Sequence, residues 1–142
     1  DLPPTLVSTS PADNAQVAAT NLTTDLTLTF NEVVKAGTGV IELYNASTNV
    51  LVESFNAATG VGSAGGTLAG WNSNTLTINP TTDLSAGTGY YVKVAATAVK
   101  DLGGNAYAGI TDATTFNFLT LNADGSIPAL PAYGSTTQIS LG

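Results

Sequence analysis

The chain has 142 residues, a net charge of −7 and neither cysteine nor histidine, which excludes several kinds of functional site. Without those two residue types it has no Ser-His or Cys-His nucleophile and no thiolate or imidazole metal site. Three basic residues against ten acidic ones disfavour nucleic acid and anionic membranes as partners, because binding to phosphates needs clustered Lys or Arg. The length fits one domain, and no apolar run approaches the roughly 20 residues of a membrane span.

Predicted β-strands alternate with turns along the chain, and no stretch keeps the apolar period of a helix. Leu26, Leu28 and Phe30, for example, share one face of a strand, and threonines occupy the other. Residues 56–70 contain five glycines and predict a long flexible loop or a ragged edge strand. The predicted strands, separated by Gly-, Pro- and Asn-rich turns, are 5–9, 15–19, 24–31, 39–45, 49–55, 74–79, 88–97 and 114–120.

Tyr90 stands at the beginning of a predicted strand, directly after the turn Leu84–Gly89. A tyrosine at this place can return its hydroxyl to the backbone a few residues upstream, which is the tyrosine corner of Greek-key sandwiches. The alternative is an ordinary core tyrosine.

Several segments resemble the bacterial Ig-like domains found in S-layer proteins and large surface adhesins. Their order and spacing agree with that family over about residues 5–120, although Val33 stands where a proline commonly follows the glutamate. The segments are PADN at 11–14, LTFNEVV at 28–34, LSAGTGYYV at 84–92, KDLGGNA at 100–106 and FNFLT at 116–120.

The resemblance implies an all-β fold, an immunoglobulin-like Greek-key β-sandwich of about seven to eight strands. We expect this sandwich to occupy residues 1–120 and an extended C-terminal tail to occupy residues 121–142. The acidic, Thr- and Asn-rich composition is typical of secreted microbial surface proteins. We therefore expect an extracellular, cell-surface location after removal of a leader peptide. The chain begins at Asp1 rather than Met, so either a leader was removed or the chain was cut from something longer.

The tail suggests how the protein works. Pro128 and Pro131 favour an extended course, and residues 136–141 alternate like a strand. A tail that leaves one end of the domain can add a strand to the open sheet edge of the next copy. The leading hypothesis is a non-catalytic structural subunit that assembles head to tail with copies of itself into a filament or surface layer. The predicted assembly contacts are Val7, Leu130, Ile139 and Leu141. The alternative is that the tail folds back on its own sandwich or leads into a next domain.

Oxygen donors at one end of the predicted sandwich form a candidate calcium site. The end of the 24–31 strand and the turn after the 88–97 strand place Glu32 near Asp101 and Asn105, and Ca²⁺ prefers such ligands. Lys35 and Lys100 lie at the same end. The other interpretation is therefore an exposed ion-pair cluster with Asx-type turns at Asp101 and Asn105.

The second functional hypothesis is an adhesin module that binds carbohydrate, is stiffened by calcium, or both. Trp71 is its candidate glycan platform, although such a residue more often fills the core or covers a sandwich edge. Asn21 and Asn45 stand in N-glycosylation triplets. No pair of acidic residues on neighbouring strands stands out as a glycoside-hydrolase centre, so no catalytic residue is predicted.

Overall fold

Two five-stranded β-sheets packed face to face make up the computed structural model, which describes residues 2–129. No helix occurs in this range, and the predicted all-β sandwich is confirmed. Residues 2–129 form ten strands rather than the predicted seven to eight. The strands are β1 (Leu6–Ser10), β2 (Ala15–Val17), β3 (Leu26–Ala36), β4 (Val40–Asn45), β5 (Val50–Asn56), β6 (Thr67–Ala69), β7 (Ser73–Asn79), β8 (Gly89–Val94), β9 (Val99–Asp101) and β10 (Asn117–Thr120).

The first sheet has the order β1-β3-β7-β6, and β9 pairs with the second half of β3. The second sheet has the order β2-β10-β8-β4-β5. Pairing is antiparallel throughout except between β2 and β10, which are parallel. The described edges of the sandwich are therefore β6 on one side of the first sheet, β1 and β9 one after the other on its opposite side, and β2 and β5 in the second sheet.

Alternation along the strands produces one core between the sheets. In β3, Leu26, Leu28 and Phe30 are buried, whereas Thr27 and Thr29 are only half-buried. Burying a large aliphatic or aromatic side chain contributes about 1.5–3 kcal/mol, so rows of such residues on facing strands stabilise the fold. The other strands supply Ile41, Leu43, Phe55, Leu76, Ile78, Tyr90, Val92, Val94 and Phe118.

β3 is longer than the predicted strand, and β9 was not predicted. A proline after Glu32 would have removed a backbone N–H, but Val33 retains it and the strand continues to Ala36. The extension pairs Val34 with Asp101 and Ala36 with Val99.

A buried carboxylate holds the glycine-rich residues 56–70 in place through hydrogen bonds to their backbone. Glu53 of β5 is only 1% exposed, and its Oε2 accepts hydrogen bonds from the N–H groups of Gly66 (2.7 Å) and Ala64 (3.2 Å). Thr81 adds its N–H to Oε1 (2.8 Å) and its hydroxyl to Oε2 (3.0 Å). Of the two interpretations of residues 56–70, the edge strand applies at Thr67–Ala69, which forms β6.

β10 begins three residues later than predicted because a carboxylate accepts hydrogen bonds from the backbone N–H groups that precede the strand. Asp112 Oδ1 accepts the N–H groups of Thr114 (3.0 Å) and Thr115 (2.8 Å). These N–H groups are then unavailable for a sheet ladder. The strand β8 likewise ends at Val94 rather than continuing to residue 97.

The tyrosine corner is confirmed. The N–H of Ser85 donates a 2.8 Å hydrogen bond to the hydroxyl of Tyr90, whose buried ring stacks on Phe118 at 5.5 Å. The hydroxyl therefore fixes the turn that leads into β8.

Removing this hydroxyl tests the corner. Tyr90→Phe is expected to lower the free energy of unfolding by about 1–2 kcal/mol, because the Ser85 N–H loses its acceptor. Tyr107→Phe is the matched control. The Tyr107 ring is also buried, but its hydroxyl makes no hydrogen bond within residues 2–129, so a change below about 0.5 kcal/mol is expected. Urea denaturation measures both, and equal effects would contradict the prediction.

Candidate functional site

An open apolar groove lies beside the outer edge of β1. Its first part has a volume of about 510 Å³. The N-terminal segment forms one wall, where Leu2 is 80% exposed. The opposite wall consists of Ala106, Tyr107, Ala108 and Thr115.

A second cavity of about 300 Å³ shares Leu6 and Thr115 with the first and continues it along the strand. Val7, which is 64% exposed, lines this part together with Ala12 and Asp13. We call the two together the β1 groove. Because β1 pairs only with β3 among the described strands, the strand edge on the groove side has no strand partner there.

Two sets of contacts hold the far wall of the β1 groove in place. Tyr107 packs edge-on against Phe30 at 5.1 Å, and its N–H donates to Val99 O (2.8 Å). At the other end, Asn117 donates its backbone N–H (3.1 Å) and its Nδ2 (2.9 Å) to Asp13 Oδ1. Burial raises the pKa of Asp13, opposed by backbone hydrogen bonds from Asn117 and Asn14. The wall is therefore formed by packed and hydrogen-bonded residues of the domain itself.

The chain leaves the sandwich at the end opposite the N-terminal segment. The N–H of Gly87 donates to Leu121 O (2.9 Å), and Pro128 lies beside Gly87. Since β8 runs from this end towards β9, and β9 lies next to the groove wall, residues 121–129 and Leu2–Leu6 occupy opposite ends. We call these the tail pole and the groove pole.

Of the four predicted assembly contacts, Val7 lies within the described residues. It is exposed and lines the β1 groove, at a bulge between Leu6 and Ser8. Leu130, Ile139 and Leu141 lie outside the described residues, as does most of the predicted 121–142 tail.

Sequence reasoning missed the groove wall at Ala106–Ala108 and an exposed apolar strip on β5. Val50, Leu51 and Val52 are 61%, 41% and 37% exposed on that edge strand. Three consecutive apolar residues break the alternation of a half-buried strand, and this was the available signal. The groove wall had no such signal, because it results from the fold of a loop.

Two of the three predicted calcium ligands lie together. Asp101 is buried, and its Oδ1 and Oδ2 accept hydrogen bonds from the backbone N–H (2.8 Å) and Nδ2 (3.0 Å) of Asn105. The bond from Nδ2, with backbone N–H groups of the same turn, lowers the pKa of Asp101. Asn105 thus directs its nitrogen to the carboxylate, as in an Asx-type turn.

Glu32 lies on β3, two residues before the register partner of Asp101. Lys35 and Lys100 face each other in the same pair of strands, which places positive charge beside the site. Within residues 2–129, no three acidic, cysteine or histidine side chains are grouped so that they could hold a metal ion. Calcium binding remains a prediction.

Trp71 is half-buried and packs against the core cluster, next to the turn between β6 and β7. Both predicted glycosylation sites are at turns. Asn21 is exposed, whereas Asn45 is half-buried at the end of β4 and accepts the N–H groups of Ser47 (2.9 Å) and Thr48 (3.2 Å).

The family model of the bacterial Ig-like domain matches residues 1–120. Among solved structures, the chain is similar to CopC from Methylosinus trichosporium OB3b, with 19% sequence identity and a TM-score of 0.54. The similarity covers 84% of this chain and 94% of that chain, and at this identity it supports the fold alone. No curated protein matches the sequence.

In the part of the chain that the structure describes, no helix is long and apolar enough to span a membrane. The family supports a location outside the cytoplasm, extracellular or periplasmic. The family model covers most of the chain and agrees with the sandwich of two sheets, so the protein belongs to the bacterial Ig-like domain family.

Proposed function

We propose that this protein is a non-catalytic structural subunit that assembles with copies of itself, head to tail, through β-strand addition. The observation that carries the proposal is the exposure of apolar residues on edge strands of both sheets, Val7 on β1 and Val50–Val52 on β5. Open edges are sites where another strand can pair, and proteins usually protect them with charged residues or prolines. Neither Leu6–Ser10 nor Val50–Val52 contains a charged residue or a proline.

The composition of the C-terminal region supports the same proposal. Residues 125–142 contain no charged side chain, although the chain as a whole has a net charge of −7. A neutral segment can approach another acidic subunit without repulsion and can be buried without the cost of desolvating a charge. The location that fits such a subunit is the cell surface, in a filament or a surface layer.

Assembly is tested by comparing the full chain with a chain that ends at Ala129. We expect light scattering and negative-stain microscopy to show long polymers for the full chain and monomers for the shortened one. Thermal unfolding of the shortened chain is the control, because its described hydrogen bonds are retained. If both chains are monomers of equal stability, the proposal of self-assembly is wrong.

The adhesin alternative has less support from the described residues. Trp71 packs against the core rather than standing free as a platform for a sugar ring. If the full chain proves monomeric, titrations with glycans and with calcium become the next experiments.

A further inference from the structure

We propose that the β1 groove is the acceptor site, and that its occupant is residues 136–141 of a second copy of this chain, added as a strand beside β1. The inference rests on the proposed self-assembly and identifies the surface that performs it. Three features support it: the shape of the groove, the position of the tail and the poorer fit of the other apolar edge.

The β1 groove offers both contacts that an added strand needs. The free edge of β1 supplies backbone donors and acceptors, which give affinity, and the lining, which is mostly apolar in the first part of the groove and mixed in the second, supplies pockets for alternate side chains. A strand rises about 3.3 Å per residue, so six residues span about 20 Å, which slightly exceeds the length of the five-residue β1. Leu6, Val7, Ala12 and Tyr107 then face the donor's apolar residues, Ile139 and Leu141.

The position of the tail favours a neighbour over its own groove. The described chain ends at the tail pole, beside Gly87, whereas the larger part of the groove lies at the groove pole. To reach the larger part of its own groove, the segment after Ala129 would have to run back along the sandwich to the groove pole. In a head-to-tail stack the tail pole of one copy meets the groove pole of the next. Such a contact is heterologous and extends into a filament.

The exposed strip on β5 fits a donor strand less well. A register shift between Leu43 and Tyr44 leaves Val52 without a partner on β4, and the resulting bulge interrupts the edge. Next to it, Ser63 N donates to Ser54 O (2.7 Å) and Asn56 N donates to Val61 O (3.0 Å), so the other half of the edge is already covered. β1 also has a bulge, but there Val7 lines the groove, which has a second wall.

Lysine substitutions at two similarly exposed valines test the acceptor site in the full chain. Val7→Lys replaces an apolar contact of the groove by a charged side chain, in the part that Asp13 also lines, and Val50→Lys is its matched control, since the two valines are 64% and 61% exposed on edge strands. We expect Val7→Lys to abolish polymers in sedimentation and electron microscopy, and Val50→Lys to polymerise like the wild type. If Val7→Lys polymerises normally, the inference is overturned, and the proposed function stands as long as removal of residues 130–142 still abolishes polymers.

Mixing two defective chains gives a second, positive readout. Ile139→Lys disrupts the donor strand and Val7→Lys disrupts the acceptor groove. Each variant alone should therefore be monomeric. Mixed at equal concentration, they should form a 1:1 dimer and nothing larger. The Val7→Lys chain provides an intact donor strand, the Ile139→Lys chain provides an intact groove, and the dimer has no further intact donor or groove. A mixture that stays monomeric would overturn the inference.

A synthetic peptide of residues 130–142 provides a measurement that does not depend on the folding of Val7→Lys. Added to the Ile139→Lys chain, it should slow hydrogen exchange at the amides of Leu6–Ser10. Protection at Val50–Val52 instead would identify β5 as the acceptor and overturn the inference while leaving strand addition intact.

Discussion

Glu53→Gln is expected to lower the free energy of unfolding by about 2–3 kcal/mol, because hydrogen bonds to a buried charged group are among the strongest in a protein. Both carboxylate oxygens of Glu53 accept backbone N–H groups, Oε1 from Thr81 and Oε2 from Gly66 and Ala64. A carboxamide has one oxygen and one NH₂ group. In either orientation the NH₂ group therefore faces a backbone N–H, and a buried donor loses its partner.

The effect should depend on pH in a defined direction. Burial raises the pKa of Glu53, but the hydrogen bonds from Thr81, Gly66 and Ala64 outweigh it and hold the pKa below the ordinary value of 4.5. The stability that this carboxylate contributes is therefore present above pH 4.5 and is lost as the pH falls through the lower pKa of the folded chain. The difference between wild type and Glu53→Gln should shrink over that interval.

Glu32→Gln is the matched control for the same measurement. Glu32 is a half-buried strand residue for which no hydrogen bond is found within residues 2–129, and its substitution should change stability by less than about 0.5 kcal/mol. Urea denaturation of the three proteins at pH 7 and at acidic pH decides the matter. Equal destabilisation by the two substitutions would show that Glu53 does not have this role.

Gly70→Ala should destabilise the protein by about 3 kcal/mol or more, from two causes that add. Gly70 has φ of +94°, a left-handed conformation that costs a residue with a Cβ about 1–2 kcal/mol. In addition, the new methyl group would overlap the carbonyl oxygen of Thr75 on β7. The backbone must then move, and the turn that holds Trp71 against the core moves with it.

Gly104→Ala separates the two causes. Gly104 has φ of +93°, nearly the same as Gly70, but a methyl group there would meet no atom within 4 Å. Its substitution should therefore cost only the conformational part, about 1–2 kcal/mol. Thermal or urea unfolding of the two variants measures the difference. If Gly104→Ala is as harmful as Gly70→Ala, the steric argument for Gly70 is wrong.

The fold was predictable because the signals that specify it are local. Alternation in residues 26–30 and 90–94, and the turn before Tyr90, depend on neighbours in sequence, and the structure confirms both the strands and the tyrosine corner. β9 was missed for the opposite reason, and β6 was only one of two alternatives for residues 56–70. Each has three residues, and β6 lies beside a turn that Glu53 fixes from another strand.

The candidate site was predictable only in part. Val7 stood out as an apolar residue in an N-terminal strand, but the facing wall at Tyr107 is created by long-range contacts with Phe30 and Val99. The sequence brought Asp101 and Asn105 together correctly. It could not decide whether the amide nitrogen or the amide oxygen of Asn105 faces the carboxylate, because that choice depends on the geometry of the turn.

The parallel pairing of β2 with β10 has a mechanical consequence. Phe118, Leu119 and Thr120 pair in register with Ala15, Gln16 and Val17, so the segment that follows the N-terminal strand lies against the last described strand. A force that pulls the two poles apart acts along these strands and stretches their hydrogen bonds together, in shear. Pulling across the strands would break the same bonds one after another at much lower force. A chain of such domains under tension would thus carry the load in its most resistant direction.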